Sequence, residues 1–152
     1  NFFKAHFPQI EFVQDNECSS TFGVLRGLHF QKAPYSQAKI IRVVEGEVLD
    51  VAVDLRPKSQ TFGKYESVIL SGDNKNQFFI PRGFAHGFVT LSKNAIVSYK
   101  VDNYYFPESD TGIIYNDSTL NIDWLLKDHE VILSEKDIKL KSFKEITTPY
   151  GL

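Results

Sequence analysis

Between residues 24 and 101 the sequence is a succession of short runs rich in branched and aromatic side chains, each closed by turn-forming residues. The runs that we predict to be strands span residues 24–30, 39–44, 47–55, 65–70, 77–80, 87–91 and 95–101. No helical period passes through this region, so the pattern predicts an antiparallel β-sandwich or barrel. The short turn Glu45-Gly46 predicts that the runs 39–44 and 47–55 form a hairpin.

The two ends of the chain have a different pattern. Residues 2–7 are apolar with interspersed polar side chains up to Pro8, which is typical of an edge strand. Residues 10–15 alternate as a half-buried strand, and residues 16–22 supply polar turn residues. Helical turns are expected over residues 116–127, and Ser134 three residues before Asp137 predicts a capped short helix that ends near Lys144.

Composition excludes several classes of protein. The chain has 152 residues, the length of a single domain, and its 42% hydrophobic residues, with 13 Phe and 7 Tyr, are typical of a packed β-rich core. A net charge of −2 disfavours nucleic acid as a partner, and no run approaches the ~18 apolar residues of a membrane span. The single cysteine, Cys18, excludes an internal disulfide.

No signal-like segment opens the chain, which predicts a cytoplasmic protein. The chain begins at Asn1 and contains no Met, so a truncated N-terminus and a lost targeting segment remain open. We therefore treat residues 1–152 as one domain whose natural start is undetermined.

The first of the predicted strands carries the side chains of greatest chemical interest. Alternation places Arg26 on one face of the run 24–30 and His29 on the other, with Gly27 clearing space beside the imidazole. Lys39 opens the next run. A histidine in a β-rich chain is most often a hydrogen-bonded structural residue, and a lysine at a strand end is most often solvated, so these residue types alone do not establish a site.

The run 47–55 adds two carboxylates to the list of candidates. Val48, Asp50, Ala52 and Asp54 share one face of this predicted strand, and the opposite face is purely apolar. Asp50 and Asp54 therefore lie on one side of an otherwise apolar strand.

Three kinds of site are compatible with His29 and His86. Pro81-x-Gly83-x-x-His86 resembles the second half of a cupin metal pattern, but the first half requires a pair of histidines and a glutamate, and only His29 is present. Two histidines fall short of the three protein ligands that are usual for a catalytic metal. A sugar-binding module without chemistry is the second reading, and metal-free proton transfer is the third.

A family resemblance favours the third reading. The segment Leu25-Arg26-Gly27-Leu28-His29-Phe30-Gln31 with Lys39 resembles the signature of the dTDP-4-dehydrorhamnose 3,5-epimerase family. Further segments resemble the same family in the same order, namely 12–16, 46–54, 81–88, 99–105 and 133–137. The resemblance therefore covers nearly the whole chain.

The resemblance implies a fold, an activity and partners. It implies an all-β, double-stranded β-helix sandwich of the cupin or jelly-roll type with short C-terminal helices. It implies epimerisation at C3, C5 or both of a nucleotide-linked 4-keto-6-deoxy hexose, through an enolate and without metal or other cofactor. It also implies a nucleotide-diphosphate sugar as the substrate and a homodimer as the assembly.

Residue by residue, the resemblance assigns four catalytic roles. His29 is the base, Lys39 the cation that stabilises the enolate, Tyr99 the acid, and Asp137 the carboxylate that orients His29. Positions that match substrate contacts or their supports are Gln14, Asn16, Arg26, His86, Tyr105, Lys136 and the supporting Asp50. Tyr99 shares a strand face with apolar residues, so a core tyrosine is the alternative reading of that position.

The chain departs from the family pattern at its start. Family members carry an Arg-Gly-Phe-Phe-x-Glu segment there, whereas this chain has no arginine and places Ala5 at the glutamate position. This departure leaves the nucleotide undetermined and does not touch the catalytic set. A non-catalytic sugar-binding cupin and a related epimerase with another nucleotide sugar remain the alternatives.

Overall fold

A computed structural model describes residues 2–146 of the chain. The helices of this part are α1 (Phe2–His6) and α2 (Glu135–Ile138), with short 3-10 helices at Pro107–Ser109, Asp128–Glu130 and Phe143–Glu145. Its strands are β1 (Gln14–Thr21), β2 (Leu25–Gln31), β3 (Lys39–Glu45), β4 (Glu47–Asp54), β5 (Tyr65–Ser71), β6 (Gln77–Ile80), β7 (Phe84–Thr90), β8 (Asn94–Val101) and β9 (Asp110–Gly112). No helix within these residues is long and apolar enough to cross a membrane.

The strands form two antiparallel sheets that face each other as a sandwich of the jelly-roll type. One sheet has the strand order β1-β8-β3-β6 and the other has the order β5-β4-β7-β2-β9. Few neighbours in either sheet are consecutive in the sequence, because the chain crosses repeatedly from one sheet to the other. The predicted all-β sandwich is therefore confirmed, and the described helices are short pieces before β1 or after β8.

The space between the sheets is filled by one apolar cluster. Ile41 and Val97 project into it from the four-stranded sheet, and Val48, Ala52 and Phe88 project from the five-stranded sheet. All five side chains are buried. The large apolar area removed from water here makes the principal contribution to holding the sheets together.

A second cluster covers the other face of the five-stranded sheet. Leu49, Val51 and Val53 of β4 pack there against Leu120 and Trp124 of the C-terminal segment. The five-stranded sheet therefore packs apolar residues on both faces, and seven of the eight residues of β4 are buried. The alternation predicted for this strand is confirmed, since Val48 and Ala52 belong to one cluster and Leu49 and Val51 to the other.

The predicted hairpin between residues 39–44 and 47–55 is wrong. The strands β3 and β4 exist almost as predicted, but they belong to different sheets and do not pair with each other. Gly46 adopts φ +78° at the corner, and a Cβ there would lie 2.1 Å from the carbonyl oxygen of Asn94. The two-residue turn thus carries the chain between the sheets, which a local turn signal does not distinguish from a hairpin.

The prediction for residues 10–22 is also wrong in its boundaries. Residues 16–22 were expected to form a turn, but most of them belong to β1, which pairs with β8 from Gln14 opposite Val101 to Thr21 opposite Asn94. This strand lies at an edge of its sheet and has polar residues on both faces. Its strand character comes from hydrogen bonding to β8, not from the hydrophobic pattern that the prediction used.

The ends of the chain require further corrections. Residues 2–6 form the helix α1 instead of an edge strand, while Asn1 and residues 147–152 lie outside the described part. Residues 116–127 form turns without a helix. The helix after Ser134 is confirmed with its cap, because the Asp137 N–H donates to Ser134 Oγ at 3.1 Å, but it ends at Ile138 instead of near Lys144.

Strand β2 does not alternate as predicted. Its pairing with β7 shifts register between Arg26 and His29, so both residues line one cavity while Leu25 and Leu28 enter the apolar cluster on the opposite face. Gly27 has φ +125°, and a Cβ there would lie 2.6 Å from Gly87 Cα. Gly27 therefore allows the backbones of β2 and β7 to approach closely, in place of the space beside His29 that alternation predicted.

Candidate active site

A cleft opens between the two sheets where three polar side chains meet. It consists of two adjoining cavities of about 350 Å³ and about 310 Å³, and His29, Lys39 and Tyr99 line both of them. His29 comes from the five-stranded sheet, while Lys39 and Tyr99 come from the four-stranded sheet. The sandwich thus brings an imidazole, an ammonium and a phenol from three strands to one place.

Strand register places Lys39 beside Tyr99. On neighbouring strands β3 and β8, Lys39 lies opposite Val101, and Ile41 lies opposite Tyr99. Residues two apart share a face of a strand, so Lys39 and Tyr99 are diagonal neighbours on the inner face of the sheet. The alternative prediction, that Tyr99 is a core residue, is true in part. Its ring packs against the apolar cluster, and the residue also lines the cleft.

His29 is held by a buried carboxylate. Its Nε2 lies 2.5 Å from Asp137 Oδ1, and the exposed fractions of the two side chains are 28% and 3%. Burial favours the neutral form of Asp137, but hydrogen bonds from His29 and Ser134 and the charge of Lys136 outweigh burial and lower its pKa.

The charge state of Asp137 determines the orientation of the imidazole. An ionised carboxylate can only accept a hydrogen bond, so His29 donates from Nε2. In the neutral ring, Nδ1 then carries the lone pair. This is the arrangement of a general base whose positive form, once a proton has been taken up, is stabilised by a neighbouring negative charge.

Lys39 is a partly buried cation. Burial lowers its pKa to about 8, and the charges of Asp110 and Asp50 partly oppose the decrease. The ammonium form is still the main form near neutral pH. Such a group can stabilise negative charge that develops on a substrate oxygen, because little water competes with it.

Tyr99 remains protonated at neutral pH. Burial raises the pKa of its phenol, Cys18 adds to the increase, and the guanidinium of Arg26 opposes it. Arg26 lies in the same cavity, is itself exposed, and donates from Nε to Ser20 Oγ at 3.3 Å. The cleft therefore holds a proton donor beside a guanidinium that can bind an oxyanion.

His86 forms a second pair of histidine and aspartate behind the first. Its Nε2 lies 3.0 Å from both carboxylate oxygens of Asp50, and both residues are buried. Burial lowers the pKa of His86, and the negative charge of Asp50 opposes that decrease. His86 lies directly opposite His29 on neighbouring strands, so the two imidazoles are cross-strand neighbours at the cleft.

The remaining predicted residues lie at the two ends of the cleft. Gln14 and Asn16 line one cavity from β1, where Gln14 Nε2 donates to Asn16 Oδ1 at 2.8 Å. Tyr105 lines the same cavity, and Lys136 lines the other. With Asp50 behind His86, the structure brings all the predicted site residues to this one region.

Sequence reasoning missed several residues of the cleft. Asp110 accepts hydrogen bonds from Tyr105 Oη, at 3.0 Å, and from Lys136 Nζ, and so links two predicted residues. It lies in β9, a three-residue strand without a hydrophobic pattern that could have predicted it. Gln31, Gln37 and Cys18 also line the cleft; Gln31 and Gln37 lie close in sequence to His29 and Lys39, but the sequence assigned none of the three a role in the site.

Within residues 2–146, no three His, Cys, Asp or Glu side chains come together as ligands for a metal ion. His29 and His86 each face a carboxylate of their own. The prediction of metal-free chemistry stays a prediction that chelation can test.

The chain is similar to known proteins over most of its length. The family model described as dTDP-4-dehydrorhamnose 3,5-epimerase matches residues 1–145. The dTDP-4-dehydrorhamnose 3,5-epimerase of Escherichia coli is 53% identical over 137 residues, which are 90% of this chain and 74% of the relative. The enzyme of the same name from Methanothermobacter thermautotrophicus is 49% identical over 144 residues, which are 94% of this chain and 77% of the relative.

Solved structures agree with this similarity. An epimerase from Legionella pneumophila, crystallised in complex with dTDP-4-keto-L-rhamnose, superposes with a TM-score of 0.91 at 49% identity and covers 96% of this chain and 77% of its own. The dTDP-4-dehydrorhamnose 3,5-epimerase from Elizabethkingia anophelis superposes with a TM-score of 0.87 at 55% identity over 88% of this chain and 74% of its own. The chain therefore belongs to the dTDP-4-dehydrorhamnose 3,5-epimerase family.

Proposed function

We propose that this protein epimerises dTDP-4-dehydro-6-deoxyglucose at C3 and C5 to give dTDP-4-dehydrorhamnose. The observation that carries the proposal is a single cleft in which His29, oriented by buried Asp137, meets Lys39 and Tyr99. Inversion of a carbon beside a ketone requires a base on one face, a group that holds the enolate oxygen, and an acid on the other face. These three residues are of the types that such a reaction needs.

The proposed reaction is a proton transfer through an enolate. His29 removes the proton from the carbon next to the C4 ketone, and the electron pair of the broken C–H bond moves to the ketone oxygen as the enolate forms. Lys39 stabilises that oxygen, an effect on the order of 10²-fold to 10³-fold in rate for one well-placed donor. Tyr99 then delivers a proton to the opposite face, and exchange with water restores both side chains.

Other residues of the cleft are proposed to bind the substrate. Arg26 suits the diphosphate because a guanidinium binds oxyanions in a bidentate manner. Gln14, Asn16 and Tyr105 line the cavity on the other side of the catalytic trio and are proposed to bind the nucleotide. His86 and Lys136 lie in the cavity with Arg26, where they can contact the sugar or its diphosphate.

The test is exchange of solvent hydrogen into the substrate. The protein is incubated in heavy water with dTDP-4-dehydro-6-deoxyglucose, and deuterium at C3 and C5 is measured by mass spectrometry and NMR. We expect incorporation at both carbons together with inversion. Incorporation at C3 alone would reduce the proposal to a single-carbon epimerase, and no incorporation would overturn it in favour of a sugar-binding cupin without chemistry.

A related epimerase with another nucleotide sugar is the second candidate. The observation that favours it is Ala5 at the position where family members carry a glutamate. Exchange measured with 4-keto-6-deoxy hexoses linked to dTDP, GDP and UDP distinguishes the two, because the true substrate has the highest ratio of turnover to KM.

The homodimer and the cytoplasmic location also belong to this proposal. The resemblance to the family supports the homodimer. Light scattering should give twice the chain mass of 17.4 kDa, and a monomer at micromolar concentration would contradict the dimer. Cell fractionation tests the location.

A further inference from the structure

We infer that Gln31 is a positioning residue that holds Tyr105 in the wall of the cleft and thereby determines the affinity for the nucleotide sugar. The inference rests on the proposed function and concerns a residue to which the family resemblance assigned no role. Gln31 is the last residue of β2, two positions after His29. Its exposed fraction is only 4%, so its amide is removed from water.

The Gln31 amide bonds to the peptide groups on both sides of Tyr105. Its Nε2 donates to the carbonyl oxygen of Tyr104 at 3.1 Å, and its Oε1 accepts from the N–H of Phe106 at 2.6 Å. Nε2 also donates to the carbonyl oxygen of Tyr35 at 2.7 Å. Both amide hydrogens and the amide oxygen are thus used, and two of the three bonds enclose Tyr105.

The hydroxyl of Tyr105 also forms a hydrogen bond close to Gln31. Its Oη donates to Asp110 Oδ2 at 3.0 Å, and Asp110 lies directly opposite Gln31 on the neighbouring strand β9. Tyr105 is therefore held at its backbone by Gln31 and at its hydroxyl by the cross-strand neighbour of Gln31. This double attachment matters because Tyr105 itself is 56% exposed and has little packing to fix it.

Neighbouring contacts hold the surrounding loops without fixing Tyr105. Tyr35 and Phe106 stack with ring centroids 3.9 Å apart, and Gln37 Nε2 donates to the carbonyl oxygen of Asn103 at 2.8 Å. These contacts hold the loop between β2 and β3 against the loop that follows β8. Among the described residues, the Gln31 amide bonds to both peptide groups next to Tyr105, whereas the Tyr35–Phe106 stacking and the Gln37 hydrogen bond each reach one side of it.

No apolar side chain of similar size can replace this amide. Gln31→Met keeps the volume but removes the partner of two carbonyls and one N–H, so the loop is expected to shift toward water, which can replace those hydrogen bonds. Gln31→Glu keeps the acceptor for Phe106 and loses both donors. In either variant Tyr105 loses its fixed position, whereas His29, Lys39 and Tyr99 keep their contacts.

The experiment is a double-mutant cycle between Gln31 and Tyr105. KM and kcat for epimerisation are measured for wild type, Gln31→Met, Tyr105→Ala and the double variant, with Gln31→Glu as a second probe of the same contact. Gln60→Met, at an exposed position between β4 and β5, is the matched control. Thermal unfolding of every variant shows that the comparison is made between folded proteins.

We expect Gln31→Met to raise KM roughly tenfold, the effect that loss of one or two neutral hydrogen bonds produces, while kcat changes by less than about threefold. In the Tyr105→Ala background the same change should raise KM by less than about twofold, because Gln31 acts through Tyr105. Equal effects in both backgrounds, or a loss of kcat with KM unchanged, would overturn the inference. An inactive wild type would instead overturn the proposed function, so the two failures are distinguishable.

Discussion

The pair of His29 and Asp137 shows how burial and hydrogen bonding compete over one group. Burial alone would favour a neutral Asp137, but the contacts with His29, Ser134 and Lys136 keep its pKa low. The carboxylate is therefore ionised where His29 needs a partner. A buried charge of this kind is tolerated because its partners satisfy it.

Substitution of the base and of the acid should have different consequences. His29→Ala should abolish deuterium exchange at both carbons, because no α-proton then leaves. Tyr99→Phe keeps the base and the enolate cation, so exchange should persist while net inversion falls by roughly 10²-fold to 10⁴-fold. The measurement is the ratio of deuterium incorporation to product formed, and an equal loss of both in Tyr99→Phe would indicate that Tyr99 only positions the substrate.

The pKa of Lys39 predicts an alkaline limit to activity. Its pKa is lowered to about 8, so the folded protein loses this positive charge as the pH rises through that value. The ratio of kcat to KM, which reports groups of the free protein, should therefore fall above pH about 8 if Lys39 stabilises the enolate. The phenols of Tyr99 and Tyr105 do not account for such a limit, because burial raises the pKa of both.

The control for this prediction is Lys39→Arg. A guanidinium stays charged throughout the range of stability of the protein, so whatever activity this variant retains should not decline near pH 8. A decline that is the same in wild type and in Lys39→Arg would assign the alkaline limit to another group.

At the scale of single elements, β7 contains a buried polar group whose effect on the free energy of unfolding can be measured. Among the buried side-chain nitrogen and oxygen atoms of the described residues, Thr90 Oγ1 is the one without a hydrogen-bond partner. Thr90 is fully buried and lies opposite Val48 on the neighbouring strand β4. Valine has nearly the same shape and no hydroxyl to bury.

Thr90→Val should therefore stabilise the protein. We expect the free energy of unfolding to increase by about 1 kcal/mol, since a buried hydroxyl without a partner costs on the order of 1–3 kcal/mol. Thr61→Val is the comparison at an exposed position whose hydroxyl has a partner, because Thr61 Oγ1 donates to Asp54 Oδ2 at 2.6 Å, and it should decrease stability. Chemical denaturation measures both, and a destabilised Thr90→Val would indicate that a buried water bonds the hydroxyl.

Short elements contribute to the cleft out of proportion to their length. The four residues of α2 supply Lys136 and Asp137, and the three residues of β9 supply Asp110. The three side chains are joined, because Lys136 donates to Asp110 and its charge also lowers the pKa of Asp137. Each element is stabilised mainly by its neighbours, since a helix of four residues does not persist alone in water.

At the scale of the whole molecule, the arrangement of charges predicts activity without metal. His29 and His86 each pair with a carboxylate, and within residues 2–146 neither belongs to a group of three metal ligands. We expect protein treated with EDTA, and confirmed by elemental analysis to be free of metal, to retain full turnover. Loss of activity that one specific divalent ion restores would contradict proton transfer by a free His29 and make His86 a ligand.

Most strands of this protein could be predicted from the sequence, because the patterns that define them lie within short segments of the chain. Strands β3, β5, β6 and β8 lie within a residue of their predicted bounds, since their hydrophobic pattern and turn residues agree. The alternation of β4 predicted which residues enter each apolar cluster. The candidate site residues were predicted from motifs that resemble the family, in which each residue type matches a chemical need independently of its spatial neighbours.

Only the tertiary structure decided which segments meet. The sequence has no signal that distinguishes a hairpin from a crossing between sheets at Gly46, because both use the same turn residues. Strands β1 and β9 exist because β8 and β2 offer them hydrogen-bonding partners, not because of their own patterns. The contact of Asp110 with Lys136 and the enclosure of Tyr105 by Gln31 depend in the same way on long-range pairing. The residue types that the chemistry requires are thus determined locally, whereas their distances and pKa values arise only when the two sheets close around the cleft.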